Sequence, residues 1–218
     1  MTYSLVIFDL DGTLVDSFPW FLRHANGVAD EFGFRRMSEE DVEPLRRAGS
    51  REILRRLEVP AWKLPMIAAY MRRLKSTHAT DIPLFPGVDA MLRALSGSGV
   101  QLAVVSSDHE RNARAQLGEA NAALFSHFAC GASLFGKAAK FRQVLRRAGV
   151  EADRAIIIGD EIRDIEAARA ANIACAAVTW GYAAPEALRA HSPDFVFAHI
   201  DEIAPAVTEN GRRKLRTV

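Results

Sequence analysis

The stretch Ile7-Phe8-Asp9-Leu10-Asp11-Gly12-Thr13-Leu14-Val15-Asp16 decides the fold of this chain. The apolar run from Leu5 to Phe8 predicts a buried β-strand, which stops at two carboxylates, Asp9 and Asp11. Side chains alternate along a strand, so the two acids would face the same way if the strand continued. Gly12 permits a tight turn and a close approach of backbone to a ligand. Acids at the carboxyl end of a buried strand lie where open α/β sheets bind their ligands.

The composition is that of a globular protein: 218 residues, 49% hydrophobic, 25% charged and a net charge of +1. This balance gives no general attraction for nucleic acid, and no run is long enough to span a membrane. The chain begins directly with a strand, so we expect a cytoplasmic protein. The composition offers no unusual surface, and we expect a monomer or a weak homodimer. Cys130 and Cys175 lie in apolar segments and are interpreted as buried thiols rather than a disulfide. The basic tail from Gly211 to Val218 is assigned no function.

The segment after the first strand has helical periodicity only. Apolar residues recur at helical spacing from Phe18 to Phe32, with Asp16 or Ser17 as the N-cap and Gly33 as the stop. Further helices are predicted to start at Ser38-Glu39-Glu40-Asp41 and at Ser50-Arg51-Glu52, and another to run over 64–74. We therefore expect a helical domain at 17–80, inserted into an α/β domain formed by 1–16 and 81–218.

Beyond Pro86-Gly87, short apolar strands alternate with helices. This alternation predicts an α/β fold, a Rossmann-like, doubly wound parallel sheet that carries the all-helical insertion. The continuous apolar run Ala155–Ile158 is typical of a strand buried on both faces. The other strands are predicted at Val100–Val105, Phe128–Cys130, Cys175–Val178 and Phe195–Phe197.

Polar residues follow the later strands or open the next helices in the same way. They are Ser106-Ser107-Asp108, Lys137, and Gly159-Asp160-Glu161-Ile162-Arg163-Asp164. Each has a structural interpretation: Asp108 would cap the next helix, and Asp160 and Asp164 would complement a helix dipole. That interpretation suits each residue singly but not the whole set.

Asp-Leu-Asp-Gly-Thr at 9–13 and Gly-Asp-x-x-x-Asp at 159–164 resemble motifs of the haloacid dehalogenase (HAD) superfamily. Phe85-Pro86-Gly87 and the helical insertion resemble its phosphoglycolate phosphatase-like and β-phosphoglucomutase-like members, which have a helical cap domain. The resemblance implies a phosphatase that acts on a small anionic phosphomonoester through an aspartyl-phosphate. Asp11 disfavours a dehalogenase, which lacks a carboxylate there.

The resemblance also implies roles for individual residues. Asp9 would be the nucleophile, and Asp11 the general acid that later activates water. An acid at neutral pH needs a raised pKa. We expect crowding by neighbouring carboxylates to raise the pKa of Asp11, an effect that a bound metal would oppose. Ser106 would bind the phosphoryl oxygens, and Lys137 would neutralise charge. Lys140 is the alternative lysine, but Phe135-Gly136 favours Lys137.

A bound Mg²⁺ is the cofactor that the resemblance implies. Asp9, Asp160 and the backbone carbonyl of Asp11 would hold it. Asp164 would bind it through water, or would instead be the partner of Lys137.

Substrate-binding roles fall to Gly12, Thr13, Ser107 and Arg51. Members of the family often have Asn at the position of Ser107. Ser107 lacks that side chain and would donate through its backbone N–H instead. Arg51 is the basic residue of the insertion that we favour for attracting the substrate, and the remaining charges of the insertion are assigned to solvated helix faces. Two alternatives remain open: a phosphomutase of the same fold, and a catalytically silent binding protein.

Overall fold

The computed structural model describes residues 3–131 and 136–208 of the chain. Phe135 and the basic tail lie outside the described residues. The strands are β1 (Leu5–Phe8), β2 (Gln101–Val105), β3 (His127–Ala129), β4 (Ala155–Gly159), β5 (Ala174–Val178) and β6 (Phe195–Phe197). They form a six-stranded parallel sheet in the order β3-β2-β1-β4-β5-β6, which confirms the predicted fold class.

Ten α-helices accompany the sheet in the described ranges. The segment between β1 and the fifth helix is helical, as predicted, and none of the described helices is long and apolar enough to cross a membrane. The helices are α1 (Phe18–Phe32), α2 (Glu39–Arg46), α3 (Ser50–Arg56), α4 (Leu64–Ser76), α5 (Val88–Gly97), α6 (Glu110–Ala122), α7 (Lys137–Ala148), α8 (Ile162–Ala171), α9 (Pro185–Ala190) and α10 (Ile203–Thr208).

The sheet is buried on both faces, and strand parity sorts its side chains between two cores. Val6 and Phe8 of β1 pack with α5, α6 and α10, whereas Leu5 and Ile7 pack with α7 and α8. The backbone N–H of Asp9 still bonds to the carbonyl of Ile158, so the ladder continues one residue beyond β1. Continued alternation therefore turns the Asp9 side chain toward the face covered by α7.

Local signals set the helix ends. Gly33 ends α1 with a φ of 63°, a left-handed conformation that glycine adopts without steric cost. Ser38 and Asp41 form a reciprocal capping box at the start of α2. Ser17 occupies the N-cap position of α1, but its side chain makes no capping bond. The hydroxyl lies instead 3.1 Å from the phenol oxygen of Tyr182, so Ser17 is the N-cap residue, as predicted, without making a capping bond.

The strand order reverses at β1, because β2 and β3 extend the sheet on one side and β4 to β6 on the other. Loops leaving β1 and β4 in opposite directions open a crevice at their carboxyl ends, where α/β sheets bind ligands. The helical insertion lies against this edge: Lys75 of α4 contacts Asp11, and Arg46 of α2 contacts Gly181 and Tyr182.

Candidate active site

A buried ion-pair triad joins β1, α7 and α8. The ammonium of Lys137 donates to Oδ2 of Asp9 at 2.6 Å and to Oδ1 of Asp164 at 2.5 Å. All three side chains are buried, and the two carboxylates outweigh the desolvation of Lys137, so its pKa lies above the ordinary value. The structure thus places Lys137 in the site, whereas Lys140 lines a separate cavity of about 270 Å³ with Gln143. The expected pairing of Asp164 with Lys137 is observed.

Asp160 is fully buried at the end of β4. Its carboxylate accepts bonds from the Thr13 hydroxyl and from the backbone N–H of Tyr182, both at 2.8 Å. Burial raises its pKa well above the ordinary value, and the negative charges of Glu161 and Asp9 raise it further. Thr13, expected to bind substrate, uses its hydroxyl to orient Asp160.

Two glycines leave room for this carboxylate. A Cβ on Gly12 would lie 2.2 Å from Oδ2 of Asp160, and one on Gly181 would lie 2.4 Å from the same oxygen. Gly12 also has a φ of +74°, which other residues adopt only with strain. The close approach expected of Gly12 is observed, but the group it approaches is Asp160.

Three of the acids can hold a metal ion together. Asp9, Asp160 and Asp164 are buried, and one carboxylate oxygen of each lies within 4.8 Å of the others. Such oxygens are the ligands of hard divalent cations. Among the described residues, Lys137 forms ion pairs with Asp9 and Asp164 but makes no hydrogen bond to Asp160. The residues therefore fit a divalent cation.

The side chain of Asp11 turns away from that cluster. The Lys75 ammonium donates to its Oδ1 at 2.5 Å and also lies 3.1 Å from Oδ2 of Asp108. Burial raises the pKa of Asp11, but the charge and the hydrogen bond of Lys75 hold it below the ordinary value overall. The expectation of a raised pKa from neighbouring carboxylates is therefore wrong in this arrangement.

Sequence reasoning missed Lys75, which is one of 12 lysines and arginines between Ser17 and Thr80. The position of Lys75 near the end of the insertion, where α4 returns to the sheet, could have singled it out as a residue close to the site. Arg51, the basic residue expected to serve the site, lies exposed in the first turn of α3.

The end of β2 is organised by a short turn. The Ser106 hydroxyl is buried and accepts the backbone N–H of Asp108 at 3.1 Å. His109, rather than Asp108, is the N-cap residue of α6, so the predicted cap is displaced by one position. Asp108 accepts instead from the His109 N–H and the Asn112 amide, and it faces Lys75. Ser107 is partly exposed beside this turn.

The loop after β5 closes the other side of the site. The Tyr182 ring packs against Phe18 with centroids 4.9 Å apart, and its N–H orients Asp160. Arg46 donates to the carbonyls of Gly181 at 3.2 Å and Tyr182 at 3.0 Å. Sequence reasoning missed this loop because its polar contacts are mostly made by the backbone, which leaves no residue pattern.

The site lies in a chain that matches a known family. The profile of the haloacid dehalogenase-like hydrolases matches residues 6–178. The phosphoglycolate phosphatase of Synechococcus elongatus is 34% identical, over 94% of this chain and 97% of its own length. That of Mesorhizobium japonicum is 31% identical over 96% of both chains.

Solved structures agree on the fold. A haloacid dehalogenase-like family protein from Streptococcus pneumoniae superposes with a TM-score of 0.75 at 23% identity, covering 92% of this chain and 96% of its own. Because the family profile matches most of the chain and the Synechococcus elongatus relative is 34% identical over nearly its whole length, the chain belongs to the haloacid dehalogenase-like hydrolase family. Within that family it is a phosphoglycolate phosphatase-like member.

Proposed function

We propose that this phosphoric monoester hydrolase is a Mg²⁺-dependent phosphatase, and that it cleaves a small anionic phosphomonoester through an aspartyl-phosphate on Asp9. One observation carries the proposal. Asp9 is buried in an ion pair with Lys137, beside Asp160 and Asp164, at the point where the strand order reverses. The phosphoglycolate phosphatases similar to nearly the whole chain support the substrate class.

Both carboxylate oxygens of Asp9 accept hydrogen bonds, which hold the side chain in the site. Its Oδ1 accepts the N–H of Leu10 at 2.9 Å and its Oδ2 accepts from Lys137. A carboxylate oxygen would attack phosphorus while the bond from phosphorus to the alcohol oxygen breaks and the alcohol takes up a proton. Water would then attack phosphorus, break the Asp9–phosphorus bond and release inorganic phosphate. Lys137 would balance charge in both steps.

Asp11 is the acid and base of this proposal. In contact with Lys75 it is ionised, which is the state needed to take a proton from the attacking water. Protonating the leaving alcohol in the first step requires the neutral carboxyl. Separation of Asp11 from Lys75 would raise its pKa toward that state.

A bound Mg²⁺ would be held by Asp9, Asp160, Asp164 and the backbone carbonyl of Asp11. When bound, it would offset the repulsion between the phosphate and these carboxylates. Thr13 and the Tyr182 N–H keep Asp160 aimed at the cluster, and Gly12 and Gly181 leave it space.

The remaining expected roles belong to the same proposal. Residues 17–80 would be a cap domain that excludes water from the site, on a core formed by 1–16 and 81–218. Ser106 and the N–H of Ser107 would hold phosphoryl oxygens, and Arg51 would attract the anionic substrate. The contacts of Lys75 and Arg46 with the core support a cap that touches the site.

Phosphate release from a panel of small phosphomonoesters, with Mg²⁺ and then with EDTA, tests the proposal. We expect release that needs Mg²⁺ and that falls at least 10³-fold in Asp9→Asn, since the nucleophile is lost. Thermal unfolding gives a second readout: Mg²⁺ should stabilise wild type and Asp153→Asn, an exposed control, but not Asp160→Asn. Full activity in EDTA or in Asp9→Asn would contradict the proposal. Isomerisation of a sugar phosphate without phosphate release would indicate the phosphomutase.

A further inference from the structure

Arg46 is the last residue of α2, and it joins the helical insertion to the loop after β5. Its Nε donates to the carbonyl of Tyr182 at 3.0 Å, and one Nη group donates to the carbonyl of Gly181 at 3.2 Å. Its own backbone carbonyl accepts the N–H of Ala184 at 2.8 Å. One residue of the insertion is therefore bonded to three residues of this short loop.

The guanidinium of Arg46 is fixed by further contacts. It lies over the ring of Phe18, 5.4 Å from the ring centroid, and that ring packs in turn against Tyr182. The second Nη group donates to Glu43 at 2.8 Å. Each of the three guanidinium nitrogens thus already donates to an acceptor within the protein. This side chain is committed to holding the loop rather than to binding a substrate anion.

The loop that Arg46 holds also surrounds the metal-site acid Asp160. The N–H of Tyr182 donates to Oδ2 of Asp160 at 2.8 Å, and the N–H of Ala183 donates to its backbone carbonyl at 3.3 Å. Gly181 leaves the space for this carboxylate, since a Cβ there would lie 2.4 Å from Oδ2. Asp160 is fully buried, so the position of its carboxylate depends on where these loop residues lie.

We infer that Arg46 is a positioning residue for the metal site. From the insertion, it holds the loop after β5 where Tyr182 and Gly181 aim the carboxylate of Asp160 at the cluster. The inference rests on the proposed function for the identity of the ion, Mg²⁺. Coupling between two binding events is reciprocal. Docking of α2 through Arg46 therefore raises the affinity for the ion, and the bound ion strengthens the docking of the insertion.

Calorimetric titration with Mg²⁺, without substrate, tests the effect of Arg46 on the ion. Groups that orient a metal ligand directly are worth about 10–100-fold in metal affinity. Arg46 acts one contact further away, so in Arg46→Met we expect the Kd for Mg²⁺ to rise about fivefold. A merely structural role would lower the unfolding temperature of this variant without changing that Kd. A Kd within about twofold of wild type would overturn the inference.

Arg47→Met is the matched control. Arg47 is the next residue, and it also pairs with the core, through Glu186 at 2.8 Å. Both of these side chains are more than half exposed, and Glu186 lies in α9, beyond the residues that surround Asp160. Exposed pairs of this kind contribute little. The Kd of Arg47→Met for Mg²⁺ should therefore equal that of wild type.

Hydrogen exchange on the wild-type protein tests the reciprocal effect and keeps the inference testable even if Arg46→Met folds poorly. The N–H of Ala184 is bonded to the Arg46 carbonyl, so its exchange reports the opening of this contact. Saturating Mg²⁺ should slow that exchange about fivefold. The N–H of Val150, bonded to Leu145 at the far end of α7, is the reference. Equal effects of Mg²⁺ on the two amides would overturn the inference.

These measurements use no substrate, so they separate the inference from the proposed function. If wild type binds Mg²⁺ but hydrolyses no ester, the proposed function fails, and the Kd values and exchange rates still decide on Arg46. If wild type binds no Mg²⁺, the inference is overturned together with the metal dependence of the proposed function.

Discussion

The ammonium of Lys137 lies 2.6 Å from Oδ2 of Asp9, although 128 positions separate the two residues in sequence. The contact arises because Asp9 continues the alternation of β1 toward the face that α7 covers, and Lys137 is the first residue of α7. Asp164, from α8 on the same face, completes the pairing. One buried cation thus holds two buried anions from two different segments in place.

Removing Lys137 should therefore cost both stability and activity. In Lys137→Met, Asp9 and Asp164 would be left as buried charges without their cation. We expect the free energy of unfolding at pH 7 to fall by about 3 kcal/mol and phosphate release to be lost. Urea unfolding and the phosphate assay measure the two effects.

Lys140→Met is the matched control on the same helix, since Lys140 lines a separate cavity outside the triad. Its unfolding free energy should change by less than about 0.5 kcal/mol, as is usual for surface positions. A loss below about 1 kcal/mol in Lys137→Met would show that the triad is not held together by this lysine.

Adding one methyl group at Gly12 should disrupt the metal site. In Gly12→Ala the new Cβ would meet Asp160 at 2.2 Å in a backbone conformation that already disfavours alanine. We expect a loss of about 2 kcal/mol or more in stability and a much weaker stabilisation by Mg²⁺. Gly27→Ala in α1, where a Cβ meets nothing within 4 Å, should instead stabilise by about 0.5–1 kcal/mol. Similar behaviour of the two variants would refute this account of Gly12.

The Lys75–Asp11 pair predicts a pH-dependent stability. The folded-state pKa of Asp11 lies below its unfolded value of about 3.9. The stabilisation is therefore fully present above about pH 4 and is lost as the pH falls through the folded-state pKa. Lys75→Met should destabilise by about 2 kcal/mol at pH 7, and the difference from wild type should shrink toward pH 3. Urea unfolding across this range, with Lys140→Met as control, measures it; a difference that grows on acidification would contradict the prediction.

Both cysteines are free, and both thiols should be slow to react. Burial, and then the negative charges of Glu110 and Asp108, raise the pKa of Cys130 to about 12. Burial also raises the pKa of Cys175. At pH 8 about one Cys130 in 10⁴ would be a thiolate, against about a quarter of ordinary thiols. A thiol reagent should therefore modify both cysteines slowly in the native protein and rapidly in urea. Rapid modification of one thiol per protein molecule at pH 8 without urea would show that the prediction is wrong.

Local chemistry was sufficient for much of the architecture. Three of the signals depend only on neighbours within a few residues. They are the apolar run that ends at Asp9, the continuous apolar strand that ends at Gly159-Asp160, and the helical spacing from Phe18 to Gly33. The sequence alone therefore determined the parallel α/β class and the helical insertion. The meeting of Asp9, Lys137, Asp160 and Asp164 at one edge of the sheet was expected from the resemblance of their motifs to those of a known family.

Only the tertiary structure decided what each group touches there. It brought Lys75 onto Asp11, lowering a pKa expected to be raised, and it turned the Ser17 hydroxyl from the helix end toward Tyr182. It also placed the carboxylate of Asp160 in the space that a side chain at Gly12 would occupy. These contacts join segments far apart in the chain, and their energies depend on burial and on distances of a few ångströms. Periodicity and motif spacing carry no information on either quantity, because both are set when the insertion and the loop after β5 pack against the sheet.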